Sequence, residues 1–243
     1  MSKFYFNLKN EKIPLITTGT SPFIGAGQFG TKGAQWRRKF LDDTEAMVEI
    51  LEAAYQEGSK GIEVIPIGKI LDAAKMMGDT HSDYVITGST YPGKNSGIDK
   101  LVDVGAKLIF VHAFIADNKN KKLDRLLNQV EFQGAIPGIA THDPINTIKY
   151  CLENNVNVKA FLVPFNDRGL YMEDKTELEN LVDKTKNYDF IAMKTLAAGR
   201  ITPETAFNYI ARHNISAVTV GMVSIKEAKE TTNIALDFLN KKK

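Results

Sequence analysis

Three ionisable side chains stand at or near the ends of apolar runs, where a bare charge is costly unless it has a partner or a task. Glu63 lies in Gly61-Ile62-Glu63-Val64-Ile65, His112 ends Leu108-Ile109-Phe110-Val111-His112, and Lys194 follows Ile191-Ala192-Met193. Glu63 could act as a general base or proton relay; the plainer alternative pairs it with a lysine such as Lys194 for structure. His112 could orient or protonate a substrate oxygen, or be a core histidine satisfied by a carbonyl. Lys194, if desolvated, could serve as a Schiff-base nucleophile. His142 and Asp143 could join His112 or Glu63 around a metal, but no helical histidine pair supports it, and Asp143 reads more simply as a helix cap.

Gly25-Ala26-Gly27-Gln28-Phe29-Gly30 matches the spacing GxGxxG. A dinucleotide fingerprint needs a strand just before it and a helix at its third glycine. Thr31-Lys32-Gly33 and the basic stretch Gln35-Trp36-Arg37-Arg38-Lys39 intervene here, so the segment reads as a loop over the site. It could close as a lid, with Arg37, Arg38 and Lys39 meeting an anionic substrate or simply facing solvent.

The elements that must hold these residues alternate. Runs rich in Val, Ile, Phe and Ala begin near Ile13, Ile62, Tyr84, Leu108, Ala135, Val158, Phe190 and Ala217. Helix-patterned stretches separate them. Asp42-Asp43-Thr44-Glu45 opens the first clear helix, with carboxylates at its positive end. Eight strand–helix repeats imply an α/β fold, a single (β/α)8 TIM barrel over residues 1–243, with chemistry at the carboxyl ends of the strands. Residues 1–12 read as a short strand or arm before the barrel. Pro137 sits awkwardly within the fifth strand.

The chain has 243 residues, enough for one barrel. A formal net charge of +2 gives no electrostatic drive towards nucleic acid or membrane. Lys241-Lys242-Lys243 reads as a solvated end. The one cysteine, Cys151, excludes an internal disulfide and reads as a buried thiol. No run reaches the ~18 apolar residues of a membrane span, so a cytoplasmic location is expected.

Ile191-Ala192-Met193-Lys194-Thr195-Leu196-Ala197-Ala198-Gly199-Arg200-Ile201-Thr202-Pro203 resembles the seventh-strand segment of aldo-keto reductases. Val220-Gly221-Met222-Val223-Ser224 and the helix to Asn233 resemble that family's last loop and helix. Gly19-Thr20, Glu63 and Val111-His112 fit the same template in order. The resemblance implies a barrel that binds NADP across the strand ends and reduces a small carbonyl compound. Glu63 and His112 would then carry proton transfer, and Gly199, Arg200, Gly221, Met222, Ser224, Lys229 and Asn233 would hold the cofactor's phosphates.

The chain departs from the family pattern at several positions. Glu63 replaces an Asp. Gly68 stands where the general-acid Tyr would be, and Gly88 where the Lys would be. Tyr91, Lys69 and Lys94 are near in sequence. Ala140-Thr141 replaces the Ser-Asn pair after the fifth strand, and Leu162 the Gln of the sixth. Val223 replaces a Lys, Lys229 an Arg and Thr232 a Glu. A glycine has no proton to give, so a second reading is a lyase or isomerase acting on a phosphorylated or carboxylated molecule, and a third is a binding relative without turnover. The expected partner in each case is a small molecule, and neither nucleic acid nor membrane.

Overall fold

In a computed structural model, residues 3–93 and 95–241 are described; Lys94 and the Lys242-Lys243 end lie outside them. Two short strands, β1 (Tyr5–Leu8) and β2 (Glu11–Pro14), form an antiparallel hairpin. Eight parallel strands follow: β3 (Ile16–Gly19), β4 (Gly61–Val64), β5 (Val85–Ser89), β6 (Leu108–Val111), β7 (Ile136–Ala140), β8 (Ala160–Pro164), β9 (Asp189–Met193) and β10 (Ala217–Val220). They close into one ring, β10 pairing β3 through Val218 with Ile16 and Val220 with Thr18. The chain is a (β/α)8 barrel.

Strand alternation divides the core in two. Ile62, Val64, Ile109, Val111, Phe161, Val163, Phe190 and Val218 face the surrounding helices. Leu108, Phe110, Ile136, Ala140, Ala160, Leu162, Ile191 and Ala217 fill the lumen. Gly138 is inward as well; a Cβ there would stand 2.5 Å from the Phe110 ring, so the glycine makes room for the phenyl group.

Ile13 begins no barrel strand. It belongs to the hairpin, and with Leu8 it packs into the lumen beside Leu108 and Ile136, 1% and 4% exposed. The apolar run from Ile13 to Ile16 thus serves two elements, and the barrel strand proper begins at Ile16. The hairpin plugs the amino end of the barrel, leaving the carboxyl end open.

Pro137 does sit in β7. Its carbonyl accepts from Lys159 N at 3.0 Å, while the paired register of β7 with β8 begins one residue later, at Gly138. The missing N–H therefore falls at the edge of a ladder. Cys151 is buried in the helix Pro144–Glu153.

The segment after β3 is a helix rather than a loop. A 3-10 turn, Gly27–Phe29, runs into the helix Gly30–Phe40. Gly30, Thr31 and Gly33 are poor helix formers and no side chain caps the start, which hid the helix in the sequence. Gly25 and Gly33 serve a close approach. Gly25 has φ +67°, and a Cβ on it would meet the Gly33 carbonyl oxygen at 2.6 Å. Among the described residues no helix is long and apolar enough to cross a membrane.

Candidate active site at the open end of the barrel

A cavity of about 450 Å³ opens at the carboxyl ends of the strands. Glu63, Ser89, His112, His142 and Lys194 line it, over a floor that includes Leu162 and Met193. Phe29 and Trp36 form part of the roof, their rings packed edge to face at 5.0 Å. The helix that overlies the mouth thus presents aromatic rings to it. The basic residues beside them turn away: Arg37 donates to the Ile24 carbonyl at 2.9 Å, and Arg38 and Lys39 are exposed outside the cavity.

Glu63 is 5% exposed and accepts a hydrogen bond from Ser89 Oγ at 2.6 Å. Burial pushes its carboxyl up to about 7, against the Ser89 contact, which favours the carboxylate. Near neutral pH the group can therefore both give and take a proton.

Position 88, where the resemblance places the tuning lysine, faces away from the cavity. A Cβ on Gly88 would stand 2.6 Å from Leu101 in the helix layer. The inward residue at that strand end is Ser89, which period-two alternation from Thr87 indicates. Gly68, at the phenol's place, has φ +57°, and a Cβ there would meet the Leu41 carbonyl oxygen at 2.6 Å. A tyrosine is not accommodated at that turn. Neither Tyr91 nor Lys69 lines the cavity.

His112 caps a short helical turn, its Nδ1 accepting from Phe114 N at 3.1 Å. In the neutral ring that contact leaves the proton on Nε2, ready to donate to a ligand oxygen. Burial lowers the His112 pKa, the Lys194 ammonium lowers it further, and Asp117 opposes both. His142, with its ring 6.1 Å from that of His112, is pushed down to about 4 by burial, Lys194 and His112. Both rings are neutral donors or acceptors at pH 7.

Lys194 is pushed down to about 8 by burial, with Asp117 opposing. Its Nζ lies 4.4 Å from the centre of the Tyr171 ring. Asp117 itself is occupied: it accepts from Thr141 Oγ1 at 2.6 Å, Thr147 Oγ1 at 3.0 Å and His142 N at 3.0 Å. Asp143, the residue at the helix N-cap, makes no capping bond; it pairs with Lys119 at 2.9 Å. Among the described residues no group of three or more His, Cys, Asp and Glu is placed to hold a metal.

The phosphate-binding expectation rests on residues that the structure scatters. Gly199 and Gly221 line the cavity. Arg200 and Lys229 are exposed outside it, and Met222 is buried at 1% exposure. Asn233 donates to Glu57 at 2.7 Å. Ser224 Oγ accepts from Glu227 N at 3.2 Å, while Glu227 accepts from Val223 N at 2.9 Å. Ser224 thus caps the helix and Glu227 reaches back to the amide before the cap, and the two contacts occupy amide donors an anion would use. Glu227 and Glu230 also line the cavity, whereas Lys194 is the only Lys or Arg among the described lining residues.

Solved structures share this architecture. A protein named as an aldo-keto reductase of Pseudomonas aeruginosa superposes with a TM-score of 0.69 at 14% identity, over 97% of this chain and 95% of that one. An Asp-to-Ala mutant of Gox0644 in complex with NADPH gives 0.62 at 12% identity, over 96% and 88%. At these identities the likeness is one of fold, a closed eight-stranded barrel. A 2-keto-3-deoxy-6-phosphogluconate aldolase of Zymomonas mobilis gives 0.56 at 18% identity, over 82% and 88%. No family model matches the chain, and no curated protein matches it in sequence.

Proposed function

We propose that the chain is an enzyme acting on a small carbonyl compound, by proton transfer at Glu63 with the carbonyl oxygen held by His112. One observation carries the reading: a buried carboxyl poised near neutrality lines the same cavity as a histidine whose Nε2–H is free to donate. Glu63 takes over the proton-transfer role left open at Gly68. His112 stabilises negative charge developing on the oxygen.

NADP-dependent reduction is the form of this chemistry that the fold likeness favours, with one neighbour bearing NADPH. The residues that would hold the cofactor fit it poorly. Ala140 and Leu162 offer no side-chain hydrogen bond to a carboxamide. The Ser224 loop is self-capped, and two carboxylates stand at the mouth. The polar inventory is better matched to a non-redox isomerase or lyase, whose proton abstraction beside a carbonyl needs only Glu63 and His112.

The test is α-proton exchange into D2O, followed by NMR for a panel of small aldehydes, ketones and 2-oxo acids, with NADPH oxidation followed in parallel. We expect exchange, slowed ~10²-fold or more in Glu63→Gln and also slowed in His112→Ala. NADPH oxidation that depends on the carbonyl and on Glu63 would move the assignment to reduction. Neither exchange nor oxidation across the panel would overturn the proposal.

A further inference from the structure

Lys194 is a third chemical group in the cavity, and proton transfer at Glu63 and His112 makes no use of it. It follows β9 on left-handed backbone, with φ +56°, in a turn where Ala197 and Ala198 also have positive φ. Each such non-glycine residue costs roughly 1 kcal/mol. The turn is closed by Ala197 N donating to the Lys194 carbonyl at 2.9 Å. It carries Lys194 off the end of the strand and into the lining of the cavity. Strain of this kind persists where the surrounding structure holds it, and it collects at functional sites.

The charged and titratable groups around Lys194 do not neutralise it. Asp117 acts on it from a distance, with its oxygens taken by Thr141, Thr147 and the His142 amide. His112 and His142 are uncharged neighbours, and Tyr171 offers its ring face. Among the described residues Lys194 has no ion pair, and Glu63 is hydrogen-bonded to Ser89 rather than to it. An amine that lines the cavity without an ion pair, over one ring face and with a protonatable carboxyl in the same lining, is arranged as a nucleophile.

We propose that Lys194 is a covalent site, condensing through Nζ with the carbonyl carbon of a small aldehyde, ketone or 2-oxo acid. The neutral amine adds to the carbon, forming the C–N bond and, after proton transfer, a carbinolamine. The C–O bond then breaks, and the oxygen leaves as water on accepting the Glu63 proton. An iminium and the Glu63 carboxylate result. The carboxylate takes the proton from the adjacent carbon, giving an enamine and restoring the acid. No oxidant or reductant is consumed. The site fits substrates with one carbonyl and at most one further anion, since Glu227 and Glu230 disfavour a second.

This inference rests on the carbonyl reading of the site. The full chain is incubated at pH 7.5 with glycolaldehyde or pyruvate and sodium cyanoborohydride, which reduces an imine to a stable secondary amine, and is then mapped by peptide mass spectrometry. An amine titrating at about 8 has a roughly two hundredfold larger free-base fraction at that pH than an ordinary lysine. The peptide bearing Lys194 is expected to be alkylated at least tenfold faster than any other lysine peptide. Lys194→Arg and Lys194→Met should abolish that event alone, with melting curves and surface-lysine labelling unchanged. Labelling of Lys194 at the rate of surface lysines overturns the proposal. Persistence of Glu63-dependent proton exchange in that case leaves the carbonyl reading standing. Trapping at Lys194 with no effect of Glu63→Gln on exchange would support the covalent site and reject the role given to Glu63.

Discussion

Glu63 shows how one residue's environment sets its chemistry. Its raised pKa has a consequence for stability as well as for reaction. The folded state prefers the protonated acid, so its contribution is intact below about pH 4.5 and declines as pH rises through about 7. Glu63→Gln removes that alkaline penalty. The variant should be more stable than the native chain at pH 8–9, by up to roughly 3 kcal/mol, and indistinguishable near pH 4; urea titrations at the two pH values read this. The Ser89 hydroxyl pulls the other way, since it bonds the carboxylate. Ser89→Ala should raise the Glu63 midpoint by roughly one pH unit, seen as a shifted carboxyl band in infrared titration. No movement of that band would remove Ser89 from the site.

At the scale of elements, the open mouth depends on the plug at the opposite end. Leu8 and Ile13 fill the amino end of the lumen, so cavity space remains where the strands end in Glu63, Ser89, His112 and Lys194. Ile13→Ala should cost about 3 kcal/mol, as for other buried large-to-small changes, measured by chemical denaturation, while the rate of any turnover per folded molecule stays unchanged. The helix Gly30–Phe40 has the opposite profile. Trp36 is half-buried against Phe29 over the cavity, so Trp36→Ala should weaken ligand binding, raising KM more than it lowers kcat, with a smaller loss of stability. An unchanged KM would show that this helix does not cover the bound ligand.

For the whole molecule, a near-neutral chain carries an uneven charge pattern at its mouth. A net charge of +2 coexists with Glu227 and Glu230 beside a cavity whose described lining has one Lys or Arg, Lys194. A polyphosphate cofactor meets repulsion there. NADPH binding is expected to be weak and to tighten roughly tenfold in Glu230→Lys at low salt, an effect of about 1.4 kcal/mol that fades as salt screens it. Tight binding by the native chain, followed by fluorescence titration, would restore the cofactor reading in full.

The strand–helix alternation, the closed barrel and the placing of Glu63, His112 and Lys194 near strand ends were legible in the sequence, because burial imposes a two-residue period on strands and a helical period on their connections. The helix cap at Ser224 left a signal, a Ser and a Glu three residues apart, but the family resemblance assigns that serine to phosphate. The helix Gly30–Phe40 was not legible, for Gly33 serves contact with Gly25 and Gly30 a positive φ, rather than helix propensity. Alternation set Ser89 and Gly88 on opposite faces of the strand, but only the ring shows that Ser89 is the inward one. The apolar pattern along the chain determined which strand and helix faces would be buried. Only the closing of eight strands into a ring decided which of them share one cavity, because residues far apart in the chain meet there, and desolvation acts on them together.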